Sequence, residues 1–228
     1  MMTTNNIDAE LGIYVHIPFC ISKCIYCGFY SAAGAPSAEE ESTYVNLLVQ
    51  EIENAKRPGL KVDSIFFGGG TPSTLKAESL IEVLDAIRSF FDVTDDCEIA
   101  LEANPGAVSE AYLSKLHDAG FNRLYMGCQS FSDDVLKTLG RIHRSKDARE
   151  SFAAARAAGF DNINLDLMFS VPGADEDVWQ DTLDQMLELS PEHISFYSLQ
   201  IEEETPLYDM YKNGVFAEVT DEADRKMY

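Results

Sequence analysis

Leu116-His-Asp-Ala-Gly-Phe121 and Arg156-Ala-Ala-Gly-Phe160 are nearly the same phrase written twice. In each, a helix-forming run ends on a glycine, Gly120 or Gly159, where a helix commonly terminates in the left-handed conformation. A bulky apolar residue then opens an extended run at once. Outward from these junctions, short apolar runs rich in Ile, Val, Phe, Leu and Tyr occupy 11–17, 62–67, 97–102, 122–128, 161–168 and 193–199. They are too short for buried helices and read as strands covered on both faces, as in a parallel sheet. The stretches between them have helical period. Tyr44, Leu47, Leu48 and Ile52 share one stripe within 38–56, and Leu80, Val83, Leu84, Ile87 and Phe91 share another within 77–91. Ser37, Ser109, Ser132 and Ser145 are the expected N-caps. Gly59, after Pro58, is expected to act as Gly120 and Gly159 do. Strands alternating with helices make an α/β fold of βα repeats, which right-handed crossovers build into an open or closed barrel or a doubly wound sheet.

The chain has 228 residues, enough to bury a substantial core without disulfides. It carries 17 Lys and Arg against 39 Asp and Glu, a formal net charge of −22. Such a surface repels phosphate backbones and anionic headgroups, so neither nucleic acid nor a membrane is an expected partner. No apolar run reaches the length of a transmembrane segment. The start, Met-Met-Thr-Thr-Asn-Asn, lacks the order of a signal peptide, and a cytoplasmic location with reduced thiols is expected. The organisation expected is an N-terminal tail, 1–10, one core domain, 11–216, and a charged helical stretch, 217–228, that starts a truncated C-terminal region.

Cys20, Cys24 and Cys27 stand in the loop directly after the first strand, spaced C-x3-C-x2-C. Three thiols that close in sequence can reach one small metal centre. Structural zinc is normally closed by four ligands, and four-iron clusters commonly take four cysteines. Three thiolates on a four-iron cluster leave one iron open. His16 is the nearest candidate for a fourth zinc ligand, in an extended strand four residues before Cys20, so a structural zinc module is a third reading of this loop. Cys97 and Cys128 lie in later strands and read as buried thiols behaving as small hydrophobes.

Tyr14-Val-His-Ile-Pro-Phe-Cys20-Ile-Ser-Lys-Cys24-Ile-Tyr-Cys27 resembles the signature of the radical S-adenosylmethionine (SAM) superfamily. Within it, the words are similar to those of the oxygen-independent coproporphyrinogen III oxidase group, and above all to its haem-chaperone branch. The resemblance runs from about Leu11 to the end of the chain and implies a (β/α)6 partial TIM-type barrel with its site at the C-terminal strand ends. It implies a [4Fe-4S] cluster on Cys20, Cys24 and Cys27, with SAM chelating the open iron. Gly68-Gly-Gly-Thr-Pro72, after the second strand, is similar to the family's shelf for the SAM amino group, which places Gly69, Gly70 and Thr71 at the cofactor. Glu102, Gln129, Arg141 and Asp166 fall at positions matching the family's SAM contacts, and Tyr14 and Tyr26 at positions near the adenosyl group. Glu102, Gln129 and Asp166 also sit at strand ends, where a barrel gathers its polar site groups. Arg141 suits a carboxylate, since a guanidinium offers bidentate hydrogen bonds. His16 is expected to orient the loop or line the site, His193 to be a satisfied strand histidine, and Trp179 and Met186 to be core.

The branch turns on Cys27-Gly28-Phe29-Tyr30-Ser31. The oxidase branch resembles Cys-Gly-Cys there, and the chaperone branch Cys-Asp-Phe-Asn-Ser, so Phe29 and Ser31 fit the latter while Gly28 and Tyr30 depart from it. Phe169-Ser-Val-Pro172 departs from the family's Gly-Leu-Pro. The resemblance therefore implies haem binding and transfer to an acceptor, completed by a C-terminal region, with a reductant such as flavodoxin or ferredoxin. The second reading is oxidative decarboxylation of a tetrapyrrole, as in coproporphyrinogen III oxidase.

Overall fold

Six parallel strands, β1 (Glu10–Ile17), β2 (Lys61–Gly69), β3 (Asp92–Ala103), β4 (Arg123–Gln129), β5 (Ile163–Phe169) and β6 (His193–Ser198), form one sheet in the computed structural model, which describes residues 10–228. The expected tail, 1–10, lies outside the described residues apart from Glu10. Each strand pairs with the next in sequence, leaving β1 and β6 as edges. A doubly wound sheet reverses its strand order at a switch point. This sheet has no reversal, so crossovers of one hand put the helices on one face and the sheet curls about the other. The result is the expected partial barrel.

The helices are α1 (Ala38–Ala55), α2 (Ala77–Phe90), α3 (Glu110–Asp118), α4 (Asp133–Thr138), α5 (Ser145–Ala157), α6 (Glu176–Leu189), α7 (Pro206–Lys212) and α8 (Asp221–Met227). Helix α1 packs on α2, α2 on α3 and α3 on α5, a single outer layer. Beneath it, Val15, Ile17, Ile65, Phe67, Leu101, Leu124, Met126, Leu165 and Leu167 are buried, alternate residues of β1 to β5 that face the helices. Of the six strands only β5 is buried on both faces, as the composition suggests for all; β1, β4 and β6 leave their other face partly exposed. Elsewhere the inner face stays partly open and carries aromatic side chains: Phe66 stacks on Tyr14 at 6.2 Å and meets Tyr125 edge-on at 5.1 Å between ring centroids. Tyrosine and phenylalanine on an exposed face read in sequence like core.

The repeated junctions behave as their wording suggests. Gly120 and Gly159 have φ of 104° and 102°. Phe121 N–H then donates to Leu116 O at 3.0 Å, and Phe160 N–H to Ala155 O at 3.1 Å, closing both helix ends in the same way. Ser37, Ser109 and Ser132 cap α1, α3 and α4. Two expectations fail. Ser145 is the first residue of α5 and not its cap; Arg144 holds that place, and the Ser145 N–H donates to Asp133 Oδ1 at 2.8 Å. Gly59 ends no helix: α1 stops at Ala55, and Gly59 lies in the turn that Leu60 N–H closes on Arg57 O.

Trp179 and Met186 are core residues of α6, as expected. Within the stretch 217–228, α8 packs on α6, and its Met227 carbonyl accepts from Trp179 Nε1 at 2.7 Å. Among the described residues no helix is long and apolar enough to cross a membrane.

Candidate functional site

The cysteine loop leaves β1 at Ile17 and returns through a two-residue parallel pairing of Phe19–Cys20 with Ala32–Ala33. Ala32 N–H donates to Pro18 O and Gly34 N–H to Cys20 O, so the loop is closed at its base. His16 fastens it to the strand. Its Nε2 donates to Tyr30 O at 2.9 Å, because a carbonyl can only accept, and its Nδ1 accepts the Tyr14 hydroxyl at 3.0 Å. The loop-orienting role expected of His16 is what its contacts describe.

The glycine shelf lies directly beneath. Gly70 N–H donates to Ile17 O and Thr71 N–H to Phe19 O, both at 2.8 Å. A Cβ on Gly70 would stand 2.7 Å from Phe19 O and 3.1 Å from Cys20 Sγ. At Gly69, where φ is 116°, it would strike the His16 ring at 2.7 Å. These glycines let two chain segments of the protein itself approach, a role that spacing does not reveal.

Thr71, Asn104 and Arg141 then join two of the thiols. Thr71 Oγ1 donates to Cys20 Sγ at 3.6 Å and accepts from Asn104 Nδ2 at 2.9 Å. Asn104 Oδ1 accepts from Arg141 Nη2 at 2.7 Å, and Arg141 Nη1 donates to Cys24 Sγ at 3.2 Å. Arg141 owes its position to a third copy of the helix-ending motif. Gly140 has φ of 69°, and Arg141 N–H donates to Leu136 O at 2.9 Å. With Gly127 O as its remaining partner at 2.6 Å, the guanidinium keeps its Nε–H and one Nη1–H for a further acceptor.

Glu102 and Asp166 face the same space from β3 and β5. The Glu102 carboxylate accepts Gly69 N–H at 3.2 Å. Burial, with Asp166 opposite, pushes the Glu102 carboxyl up to about 7 despite that bond. Burial likewise raises Asp166 to about 6, although hydrogen bonds from Asn164 and Ser195 and the Arg141 charge oppose the shift. Gln129 ends β4 with φ of 64°, a strained conformation for a residue with a side chain, and its Oε1 accepts the Tyr197 hydroxyl at 2.9 Å. Burial raises the Tyr26 hydroxyl far above its ordinary range and also raises the Cys27 thiol.

These groups line one cleft of about 310 Å³ at the C-terminal strand ends. Cys20, Cys24, Cys27, Tyr26, Gly69, Gly70, Thr71, Glu102, Gln129, Arg141 and Asp166 all border it. Tyr14 does not; it is 58% exposed lower on the inner face, bonded to His16. Cys97 and Cys128 are apart from the cleft, with burial pushing their thiols up to about 11 and about 12. His143 is buried beside Cys128 O and burial lowers it to about 4, which leaves it neutral. Asn104 and Tyr197 also border the cleft, and neither stands out in the sequence as a site residue. Asn104 was visible within Glu102-Ala-Asn-Pro-Gly, but only its partners show its use.

The sequence profile of the radical SAM superfamily matches residues 14–186, from the strand before the cysteine loop into α6. The chain belongs to that superfamily. Among similar proteins, the haem chaperone HemW of Bacillus subtilis is 40% identical over 220 residues, covering 94% of this chain and 57% of that protein. HemW of Escherichia coli is 40% identical over 197 residues, covering 86% and 52%. The structure of the coproporphyrinogen III oxidase HemN from Escherichia coli, titled a radical SAM enzyme, superposes with a TM-score of 0.85 at 26% identity over 96% of this chain and 50% of that one. The chain thus spans about half the length of the relatives it matches.

Membership of the radical SAM superfamily implies a [4Fe-4S] cluster and SAM. The residues suit both. Three thiols border a cleft with donors aimed at two of their sulfurs, and a guanidinium and two carboxylates stand in the same space. Among the described residues no three His, Cys, Asp or Glu side chains converge on a single ion. Thiolates that each bind a different iron of a cube stand wider apart than the ligands of one zinc.

Proposed function

We propose that this chain is the cluster- and SAM-holding part of a haem chaperone of the HemW kind. In that reading Cys20, Cys24 and Cys27 hold the cluster, and the cleft between the cysteine loop and the strand ends holds SAM. Haem joins in the full-length protein and passes to an acceptor. The observation that carries the reading is the cleft itself, where the thiols, the Arg141 guanidinium and the Glu102 and Asp166 carboxylates share one space. When bound, the cluster supplies one electron that splits SAM into methionine and a 5′-deoxyadenosyl radical. Arg141 offers one of its spare N–H groups to the SAM carboxylate. Glu102 and Asp166 accept from ammonium or hydroxyl donors once ionised, and Gly69 N–H keeps the Glu102 carboxylate turned into the cleft. Thr71 and Arg141 donate to ligand sulfurs, which stabilises the electron-rich thiolates. A small one-electron carrier such as flavodoxin or ferredoxin is the reductant this chemistry requires.

Phe29 supports the chaperone reading over the oxidase one. It borders the cleft and is 70% exposed, a flat apolar ring where the oxidase-like pattern has a cysteine. Hydrogen abstraction from a propionate demands close placement, since an error of about 1 Å can cost ~100-fold in rate. An apolar macrocycle resting on aromatic surface has no such demand. The likeness to HemN keeps oxidative decarboxylation as the second reading. Supplied anaerobically with iron, sulfide, SAM and reductant, the protein is expected to convert no coproporphyrinogen III, with products resolved by chromatography beside a genuine oxidase. Haem binding, followed by absorbance, is expected once the C-terminal half is included. Protoporphyrinogen IX above the no-enzyme blank would promote the second reading.

A further inference from the structure

Asn164 lies two residues before Asp166 on the inner face of β5 and is fully buried, with no solvent exposure. A buried carboxamide is costly unless its polar atoms are partnered. Its Nδ2 donates to Asp166 Oδ1 at 2.6 Å. Its Oδ1 accepts from His193 Nδ1 at 2.5 Å and from Ser195 Oγ at 3.1 Å. The direction of every bond is fixed by the carboxylate, which only accepts when ionised. The amide must point its nitrogen at Asp166, its oxygen is therefore turned to β6, and His193 must carry its proton on Nδ1. His193 itself is exposed, at the start of the edge strand. A directed chain of donors thus runs from the solvent edge of the sheet to a carboxylate in the cleft.

We propose that Asn164, held by His193 and Ser195, is the positioning residue that keeps the Asp166 carboxylate ionised and turned into the cleft to receive SAM. The inference rests on the reading of that cleft as the SAM site. Asp166 needs such help. Around it stand the Glu102 carboxylate from β3, which its charge opposes, and the neutral side chains of Tyr125 and Cys128 from β4 and Tyr197 from β6; Arg141, His193 and Ser195 are the cationic or donor groups besides Asn164. Neutralisation is the cheap escape for a carboxylate so placed, and a protonated Asp166 can no longer accept from a hydroxyl or ammonium of SAM. The short charge-assisted bond from Asn164 opposes that escape. It also restricts the carboxylate to one rotamer, a restriction that SAM then need not impose on binding.

Asn164→Leu removes the donor at similar size, and Asn164→Asp replaces it with a second carboxylate. SAM binding to the reconstituted, cluster-loaded protein is measured anaerobically by equilibrium dialysis from pH 5.5 to 8.5. Asn164→Leu is expected to weaken SAM about 10-fold at neutral pH and to move the acid-side midpoint of binding upward, with iron content unchanged. Asn164→Asp is expected to move the midpoint further, since two adjacent carboxylates share one proton. The ligand-free chain offers an independent readout: in nitrogen NMR, His193 is expected as the Nδ1–H tautomer in the parent and to lose that preference in Asn164→Leu. If Asp166→Asn weakens SAM while Asn164→Leu leaves affinity, midpoint and tautomer unaltered, the positioning role is wrong and the site reading survives. If Asp166→Asn also leaves SAM binding unaltered, the cleft is not the SAM site and the inference fails with it.

Discussion

Alanine at Cys20, Cys24 or Cys27 is expected to leave the anaerobically reconstituted chain without stoichiometric iron, while Cys97→Ala and Cys128→Ala keep it. The first three thiols border one cleft, and the other two are buried in the sheet away from it. Iron ligands must be thiolates, and a thiolate is disfavoured by burial in apolar surroundings. Cys128 is fully buried, and burial raises it to about 12 even against the Arg141 charge. Cys20 and Cys24 have Thr71 and Arg141 aimed at their sulfurs. Iron and sulfide analysis per chain decides the matter, and stoichiometric iron in Cys24→Ala would overturn the ligand set.

Arg141→Ala and Glu102→Ala are expected to keep the cluster and to weaken SAM. Loss of a hydrogen bond to a charged group typically costs about 1.5–3 kcal/mol, or roughly 10- to 150-fold in affinity. Arg141→Ala belongs at the upper end, because it also strips Asn104 Oδ1, Gly127 O and Cys24 Sγ of their shared donor. The pH dependence has a definite sign. Glu102 and Asp166 titrate near 7 and 6, above the usual carboxylate range, and accept from SAM only when ionised. Affinity is therefore expected to hold at pH 8 and to fall as pH drops through about 7 and then about 6. For the ligand-free chain the sign reverses. The folded state binds these protons more tightly than the unfolded one, so these two groups cost less stability as pH falls from about 7 toward the ordinary carboxylate range. Anaerobic titration calorimetry follows the first effect and thermal unfolding the second. Unchanged SAM affinity in both variants would show that neither side chain contacts the ligand.

The fold was legible because its punctuation is local. A glycine, then a bulky apolar residue, marks both the end of a helix and the start of a strand, and the same chemistry closes the helix before Arg141. The cysteine spacing is local too. What stayed hidden depends on register between distant strands. Asn164 and His193 are 29 positions apart, yet β5 and β6 pair them side by side. Asn164 opens Asn164-Leu-Asp-Leu-Met168, a stretch similar to the family's, but its neighbours in sequence do not show its partners. Asn104 is the same case: its partners Thr71 and Arg141 come from two other segments. Tyr14 is the converse case. Its motif places it near the cofactor, while the geometry commits its hydroxyl to His16 and thereby to the seating of the cysteine loop. At the glycine shelf the missing side chains make room for His16 and the loop backbone, a use that the motif does not reveal.

All of this depends on an iron that the three thiolates leave open to SAM. Electron paramagnetic resonance of the reconstituted, dithionite-reduced protein, recorded with and without SAM, addresses that iron directly. A reduced [4Fe-4S] signal whose g values shift on adding SAM, in the parent chain and not in a Cys24→Ala control, is the expected result. A cluster signal that SAM leaves unmoved, or a reconstituted protein that holds zinc and shows no signal, would contradict it.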